Sequence, residues 1–338
     1  MKNFESLYNK NYKKILAIPI LLLTLSLAFI VIFYFKTGDI IHKDISLTGG
    51  TSITLFTQMS SAELESQLSS SIQDFEIKTI SDNTGNQINL VITVGEEGSG
   101  ALKKALETII GEELTSENSS IEITSSSLSN DFYKQLIVAV LLAFFWMSAI
   151  VFLIFTKGKK LKAKVVIVNL LFGFFMGNFF LSINKFISGF LFLVFTFYLI
   201  STYIKNSVPA FAVMLSAFAD IVMTLAIVNF IGMKISTAGI VAFLMLIGYS
   251  VDTDILLTSR LLRKKEDINL ALLGAFKTGI MMTMSAIVAV ATALIFVHPF
   301  GSVLNQIFII LLIGLFIDIF NTWVTNASIL KWYMETKK

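Results

Sequence analysis

Long apolar runs separated by short polar breaks dominate the chain. Eight of these runs approach or exceed the roughly 20 residues that a helix needs to cross a bilayer. They cover residues 15–35, 135–155, 165–181, 186–203, 208–231, 236–257, 270–297 and 303–330. The pattern therefore predicts a polytopic α-helical membrane bundle of eight spans. Small and polar residues at Gly173, Gly177, Asn178 and Asn184 interrupt the 165–203 hairpin, for which a re-entrant or peripheral position is the alternative.

Residues 36–132 carry the shorter pattern of a soluble domain. The predicted elements are a strand over 44–56 bent at Gly49–Gly50, a helix capped by Ser60 or Ser61, strands over 76–81 and 87–94, a helix over 98–111 and a strand over 120–124. This strand–helix–strand–strand–helix–strand order is typical of a ferredoxin-like α+β sandwich.

Composition and charge agree with this division. The chain is 55% hydrophobic and only 14% charged, well below the charge of a soluble protein. Residues 37–132 hold 15 of the 23 acidic residues but only 4 of the 26 basic ones, which fits a domain outside the cytoplasm. The expected division is 1–14 cytoplasmic, 15–35 a first span, 36–132 the extracytoplasmic domain, 133–330 a bundle of seven spans and 331–338 a cytoplasmic tail.

The lysines predict the orientation in the cell membrane. Lys10, Lys13 and Lys14 precede the first span, which has no clear cleavage site and is read as retained. The cluster from Lys157 to Lys164 follows the second span and marks another cytoplasmic loop, with anionic-lipid contact as a by-product. Eight spans then place both termini in the cytoplasm.

Several kinds of chemistry are not expected. There is no cysteine and there are only two histidines, so thiol and zinc-thiolate sites are excluded. No nucleophile–base pair, metal cluster or nucleotide loop is visible. We expect neither an enzyme nor a cofactor, a bound metal or a nucleic-acid partner.

Asp252 and Asp254 are the most unusual residues of the chain because they lie within the apolar run 244–260. A charged Asp at the centre of a membrane helix costs roughly 2.5–3.5 kcal/mol on insertion scales. At about 100° per residue the two side chains point about 200° apart, so they cannot share one partner. One can face a water-filled interior while the other meets a neighbouring helix, where Ser250 and other small residues suit close approach. We expect a proton or ion pathway, with a helix end at water level as the alternative.

Two further acids lie in apolar runs. Asp220 is either bonded to Thr224 one turn away or a partner for the centre of the next span. Asp318 is read as a structural acid that bonds across helices with Asn321 and Asn326.

Lys277 opens the apolar part of the seventh span. It is read as a snorkelling lysine at the membrane interface, and the alternative is a counter-charge to one of the carboxylates.

These residues carry a resemblance. The segment 244–260, LMLIGYSVDTDILLTSR, is similar to the signature of the SecF family of protein-export membrane proteins, in its archaeal form. Segments that also resemble this family are DISLTGGTSI at 44–53, VPAFAVMLSAFADI at 208–221, KTGIMMT at 277–283 and DIFNTWVTNASILKWY at 318–333.

The resemblance implies a half-transporter of the resistance-nodulation-division superfamily with six family spans, so that one hairpin here is additional. It implies a SecD partner and a role at the SecY translocon, where a proton gradient helps to move secreted polypeptide chains. The family's essential carboxylate matches Thr253 here, between Asp252 and Asp254. The family's intramembrane arginine matches the neighbourhood of Met281–Met282, so proton coupling by that scheme lacks its cation.

Three functions follow from these observations. The first is a SecF-like export subunit with Asp252 and Asp254, assisted by Asp220, as proton-responsive groups, and Thr253, Ser250, Asp318 and Lys277 in support. The second is a half-transporter that moves a lipid or small molecule. The third is a scaffold for the SecD–SecY assembly in which the acids are only hydrogen-bonded.

Overall fold

The protein consists of a bundle of long helices with a small α+β domain inserted after the first helix. The computed structural model describes residues 11–72, 75–82, 86–178, 185–263, 268–297 and 303–336. The predicted turns at 182–184 and 298–299, the middle of the turn at 82–86 and the chain ends at 1–10 and 337–338 lie outside these residues.

The small domain contains four strands and three helices. They are α2 (Ile45–Thr48), β1 (Gly50–Leu55), α3 (Ser61–Leu68), β2 (Phe75–Ser81), β3 (Gln87–Val94), α4 (Ser99–Ile110) and β4 (Ser119–Thr124), with a short 3₁₀ turn at Glu96–Gly98. The long helices are α1 (Ala17–Thr37), α5 (Ser126–Phe155), α6 (Lys159–Asn178), α7 (Lys185–Asn206), α8 (Val208–Phe230), α9 (Thr237–Arg263), α10 (Ile268–Val297) and α11 (Val303–Phe320). A π-helical segment at Asn321–Asn326 joins α11 to α12 (Ala327–Thr336).

Eight helices of the described chain are long and apolar enough to cross a membrane. They coincide with the eight predicted spans, including the hairpin of α6 and α7, so the count is confirmed. Helix α5 begins at Ser126, nine residues before the predicted span at 135, because its first turns are polar and precede the apolar run. Tyr12 donates a hydrogen bond to Glu335, which places both ends of the described chain on the same side of the bundle.

The domain is a ferredoxin-like sandwich, as predicted. Its antiparallel sheet has the order β2–β3–β1–β4, and alternate residues of β1 and β3 point towards the helices. Ile53 and Ile92, which are paired across β1 and β3, are fully buried against Leu64 of α3 and Leu102 of α4. Ser60 caps α3 by accepting a hydrogen bond from the backbone of Glu63.

One predicted strand was wrong. Residues 45–48 form the short helix α2, and the strand begins only at Gly50. Gly49 adopts a φ of 81°, and a Cβ atom there would lie 2.4 Å from the backbone of Ser126. The close contact with the start of α5 and the bonds of α2 to the bundle therefore override the β propensity of this short run.

Backbone contacts at a narrow neck tie the domain to the bundle. Lys43 forms an isolated parallel bridge with Ile235, which lies in the turn between α8 and α9. The backbone of Asp44 donates to Ile235 at 2.9 Å, and Asn229 at the end of α8 donates to the carbonyl of Ile40 at 2.8 Å. The neck thus contacts the ends of the two helices that carry Asp220 and Asp254.

Candidate ion-coupling site

Three carboxylates from three helices meet inside the bundle. Asp220 of α8 and Asp254 of α9 are fully buried, and Asp318 of α11 is 1% exposed. Asp254 and Asp318 each lie close enough to Asp220 for electrostatic repulsion between the carboxylates. The structure therefore brings Asp220 and Asp318, which sequence analysis considered separately, together with Asp254.

Asp220 is a cross-helix partner. It accepts hydrogen bonds from Ser250 at the centre of α9 and from the Asn321 amide, the latter at 2.7 Å. The alternative bond within α8 is not formed, because the Thr224 hydroxyl has no partner among the described residues. Asp220 therefore links α8 to both α9 and the π-helical segment.

Asp254 is held more loosely. Its Oδ1 accepts a hydrogen bond of 2.7 Å from the Asn326 amide. Its Oδ2 is buried, and no described residue donates a well-aligned hydrogen bond to it. The Thr322 and Ser216 hydroxyls lie near this carboxylate without forming a well-aligned bond to Oδ2, so Asp254 is the least well satisfied acid of the cluster.

Asp318 contacts Thr253, the residue that the sequence resemblance matches to the family's carboxylate. The Thr253 hydroxyl lies 3.1 and 3.3 Å from the two oxygens of Asp318, and the Thr322 hydroxyl lies 3.1 Å from Oδ1. The predicted partners of Asp318, Asn321 and Asn326, bond Asp220 and Asp254 instead. A carboxylate is thus present beside Thr253, but α11 supplies it.

The π-helical segment explains why Asn321 and Asn326 can both point towards the buried acids. Residues five apart in an α-helix diverge by roughly 140°. Hydrogen bonding from i to i+5 underwinds the helix and brings such residues towards one face. Asn321 and Asn326 are five apart and both face the acids, which an α-helical reading of the sequence could not show.

Asp252 lies outside the cluster. Its side chain is exposed on the α9 surface, along which Val241, Met245 and Tyr249 are also exposed. Asp254, two residues later, is buried. The predicted divergence of the two side chains is therefore confirmed.

The cluster contains no cation among the described residues. Lys277 is exposed on α10, and Met281 and Met282, at the family's arginine position, are 69% and 45% exposed. Arg260 donates to the Gly274 carbonyl and the Thr278 hydroxyl at 2.8 and 2.9 Å. No Lys, Arg or His that the structure describes forms an ion pair with any of the three buried acids.

The polar groups of this site are carboxylates, side-chain amides and hydroxyls. Carboxylate and amide oxygens can accept a proton or a hard cation, but the described part of the chain contains no group of three His, Asp or Glu side chains arranged as a metal site. The cluster thus consists of three buried acids whose described hydrogen-bond donors are neutral amide and hydroxyl groups.

Comparisons with known proteins agree with this architecture. Residues 178–336 match the family described as protein export membrane protein SecD/SecF, C-terminal. SecF of Methanothermobacter thermautotrophicus is 30% identical, with 97% of this chain and 94% of the relative covered. SecF of Methanocaldococcus jannaschii is 32% identical, with 96% of each covered.

A solved structure shares the fold. The crystal structure of SecDF, a translocon-associated membrane protein from Thermus thermophilus, matches 98% of this chain with a TM-score of 0.57 and 13% sequence identity. This chain covers 38% of that longer chain. The relatives are named as protein-export membrane components and not as enzymes. With its full-length similarity to these relatives and its eight apolar helices, the chain is a multi-pass membrane protein that belongs to the SecF family.

Proposed function

We propose that this protein is an accessory subunit of Sec-dependent protein export that works with a SecD partner and couples cation uptake at Asp220, Asp254 and Asp318 to movement of its extracytoplasmic domain. One observation carries the proposal: the three buried carboxylates share one site without a cationic side chain in the described chain. Each unpaired charge in a low-dielectric site costs several kcal/mol, so these three acids are unfavourable while they are all ionised.

That cost supports exchange of a cation. Asp254 has an oxygen without a well-aligned donor, and Asp318 and Asp254 both repel Asp220. A proton or another small cation removes these unfavourable terms, and its departure restores them. The hydrogen bonds of Asp318 to Thr253 connect this exchange to the family's signature position.

The exposed position of Asp252 is an argument for a partner helix at this surface. Asp252 lies on a membrane-spanning surface of α9 that the other described residues leave exposed. A carboxylate facing lipid is costly, whereas a second protein chain with polar groups would satisfy it. We propose that this surface contacts SecD.

The neck supports transmission to the soluble domain. The bridge between Lys43 and Ile235 and the bond from Asn229 to Ile40 connect the domain to the ends of α8 and α9. A change in the packing of these helices therefore reaches the domain through the backbone bridge at Ile235 and the side chain of Asn229. In the proposed orientation, this acidic domain faces secreted chains as they leave the SecY channel, while both termini lie in the cytoplasm.

The experiment compares three variants in cells that rely on this protein. We expect Asp254→Asn with Asp318→Asn to slow export of a secreted protein strongly and to abolish its dependence on the ion gradient, while co-purification with SecD persists. Asp252→Asn should instead weaken co-purification. Glu122→Asn, an exposed change in β4, is the control and should behave like the natural protein.

The scaffold function predicts a different result. It is favoured by the hydrogen bonds that already satisfy both oxygens of Asp220. In that case the double variant would lose complex stability and retain gradient dependence in the assembled fraction. Normal export in the double variant would contradict the coupling proposal.

A further inference from the structure

An apolar groove lies on a second face of α8, away from the acids. A cavity of about 350 Å³ lies among α5, α7 and α8, and it is lined by Phe144, Thr196, Leu215 and their apolar neighbours. Ligand pockets typically begin at about 300 Å³. The cavity is therefore large enough for a chain-like ligand.

A second cavity extends this groove. It has a volume of about 180 Å³ and shares Val140, Leu141 and Ile221 with the first one. Together the lining residues of α8 run from Phe211 to Leu225, or ~21 Å along the helix at about 1.5 Å per residue. A single hydrocarbon chain fits this long, narrow and nearly uncharged shape.

One end of the groove is strongly basic. Ser148 and Tyr203, which share a hydrogen bond of 2.7 Å, line the end near the last turns of α5 and α7. Lys157 follows α5 and Lys205 lies in the last turn of α7, and both are exposed. The sequence contains no Asp or Glu between residues 132 and 219, and no acid of the described residues forms an ion pair with either lysine.

We propose that the groove holds one hydrocarbon chain of an anionic membrane phospholipid, whose headgroup contacts Lys157 and Lys205. The apolar cavity provides the chain site, and the uncompensated lysines at its end provide the preference for a negative headgroup. The groove lies within the spans and is bordered by the exposed Ile200 and Phe218, so a lipid can enter it from the side. This site is separate from the carboxylate cluster and does not depend on the proposed export function.

The test measures lipid retained by the full chain. The protein is equilibrated in nanodiscs of equal parts phosphatidylglycerol and phosphatidylcholine with identical chains, transferred to mild detergent and weighed by native mass spectrometry. We expect the natural chain to retain phosphatidylglycerol in several-fold excess. Thr196→Phe should reduce retained lipid several-fold, because the ring fills the groove and the Thr196 hydroxyl has no hydrogen-bond partner in the described chain to lose.

Matched variants separate the two parts of the site. Leu215→Phe fills the groove from α8 and replaces Thr196→Phe if that variant is not folded, while Thr292→Phe makes the same change on the exposed surface of α10 and should retain lipid normally. Lys157→Gln with Lys205→Gln should keep bound lipid but lose the headgroup preference. Lys103→Gln with Lys104→Gln in α4 should keep both.

Three results would overturn the proposal. They are unchanged lipid retention in both groove-filling variants, equal retention of the two headgroups by the natural chain, and a dimer of the protein that disappears when the groove is filled. The last result would assign the groove to a second copy of this chain.

Discussion

Helix α8 separates two regions that hold the bundle together in different ways. On one side, Asp220 bonds Ser250 and Asn321, and polar contacts join α8 to α9 and the π-helical segment. On the other side, aromatic side chains such as Phe145 and Phe172 pack α5 against the α6–α7 hairpin, with ring centroids 4.3 Å apart. Lipid removes the hydrophobic drive for helices to associate, so packing and hydrogen bonds must replace it. This chain uses mainly hydrogen bonds on the acid side of α8 and mainly aromatic packing on the other side.

The largest effect is expected in the aromatic region. Phe172 is fully buried, and Phe172→Ala should destabilise the hairpin by about 3 kcal/mol or more because it leaves a cavity among packed rings. Faster proteolysis at the lysines of residues 157–164, which include the first turns of α6, measures this loss in detergent. Phe174→Ala on the exposed face of the same helix is the control, and equal sensitivity of the two variants would contradict the role of packing.

A smaller effect is expected where the polar region depends on close approach. A Cβ atom at Gly314 of α11 would lie 2.5 Å from the Leu246 side chain of α9. Gly314→Ile should therefore separate these helices, weaken the contact of Thr253 with Asp318 and lower stability by about 1–3 kcal/mol. Thermal unfolding in detergent measures the change. Gly189→Ile, where a Cβ atom meets no other atom, should leave the unfolding temperature nearly unchanged.

A double-mutant cycle isolates one hydrogen bond of the polar region. Asp254→Ala and Asn326→Ala should show a coupling free energy between about 0.6 and 1.7 kcal/mol, which are the average and the maximum found for such bonds between membrane helices. Asp252→Ala with Asn326→Ala should be additive, because Asp252 faces away from the cluster. Equal coupling in the two cycles would show that the contact seen for Asp254 is not specific.

The smallest effect is expected outside the bundle. Burial acts to raise the pKa of Glu76, but its hydrogen bond and ion pair with Lys234 and the charge of Lys78 outweigh burial, so this pKa is lowered from 4.5. The folded state therefore gains stability from Glu76 above its unfolded pKa, and this gain disappears as the pH falls through the lowered value. Because the pair is partly exposed, the gain is at most about 1 kcal/mol.

Glu76→Gln should remove this part of the pH dependence. Hydrogen exchange at the neck between neutral and acidic pH measures it, and the expected result is a flatter profile than that of the natural protein. Asp131→Asn removes an exposed ion pair within α5 and serves as the control. A steeper profile for Glu76→Gln would reverse the sign of the argument.

The two regions also differ in how far the sequence predicts them. Asp220, Asp252, Asp254 and Asp318 stood out because charges are rare in apolar runs, and the helical period separated Asp252 from Asp254 correctly. The centre of the next span was among the predicted partners of Asp220, and Ser250 lies there. The bonds from Asn321 and Asn326 were not predictable, because these side chains reach the acids only through π geometry. The roles of these residues in ion coupling remain predictions that the proposed variants test.

The groove was not visible in the sequence for a different reason. Leu141, Leu215 and their neighbours have the composition of any lipid-facing or packed helix. Only the spacing of α5, α7 and α8 leaves room between them. Similarly, the run at 45–48 has ordinary β propensity, and contacts with the bundle make it helical.

The π-helical segment also determines the rotational phase of everything that follows it. Its turn contains one surplus residue, so deletion of Val324 would restore an α-helical turn and rotate α12 by roughly 100°. The hydrogen bonds of Lys331 with Asn269 and of Tyr12 with Glu335 would then break, and so would the bond from Asn326 to Asp254. A single surplus residue thus determines both the contacts of the buried acids and the contact between Tyr12 and Glu335 near the two ends of the described chain.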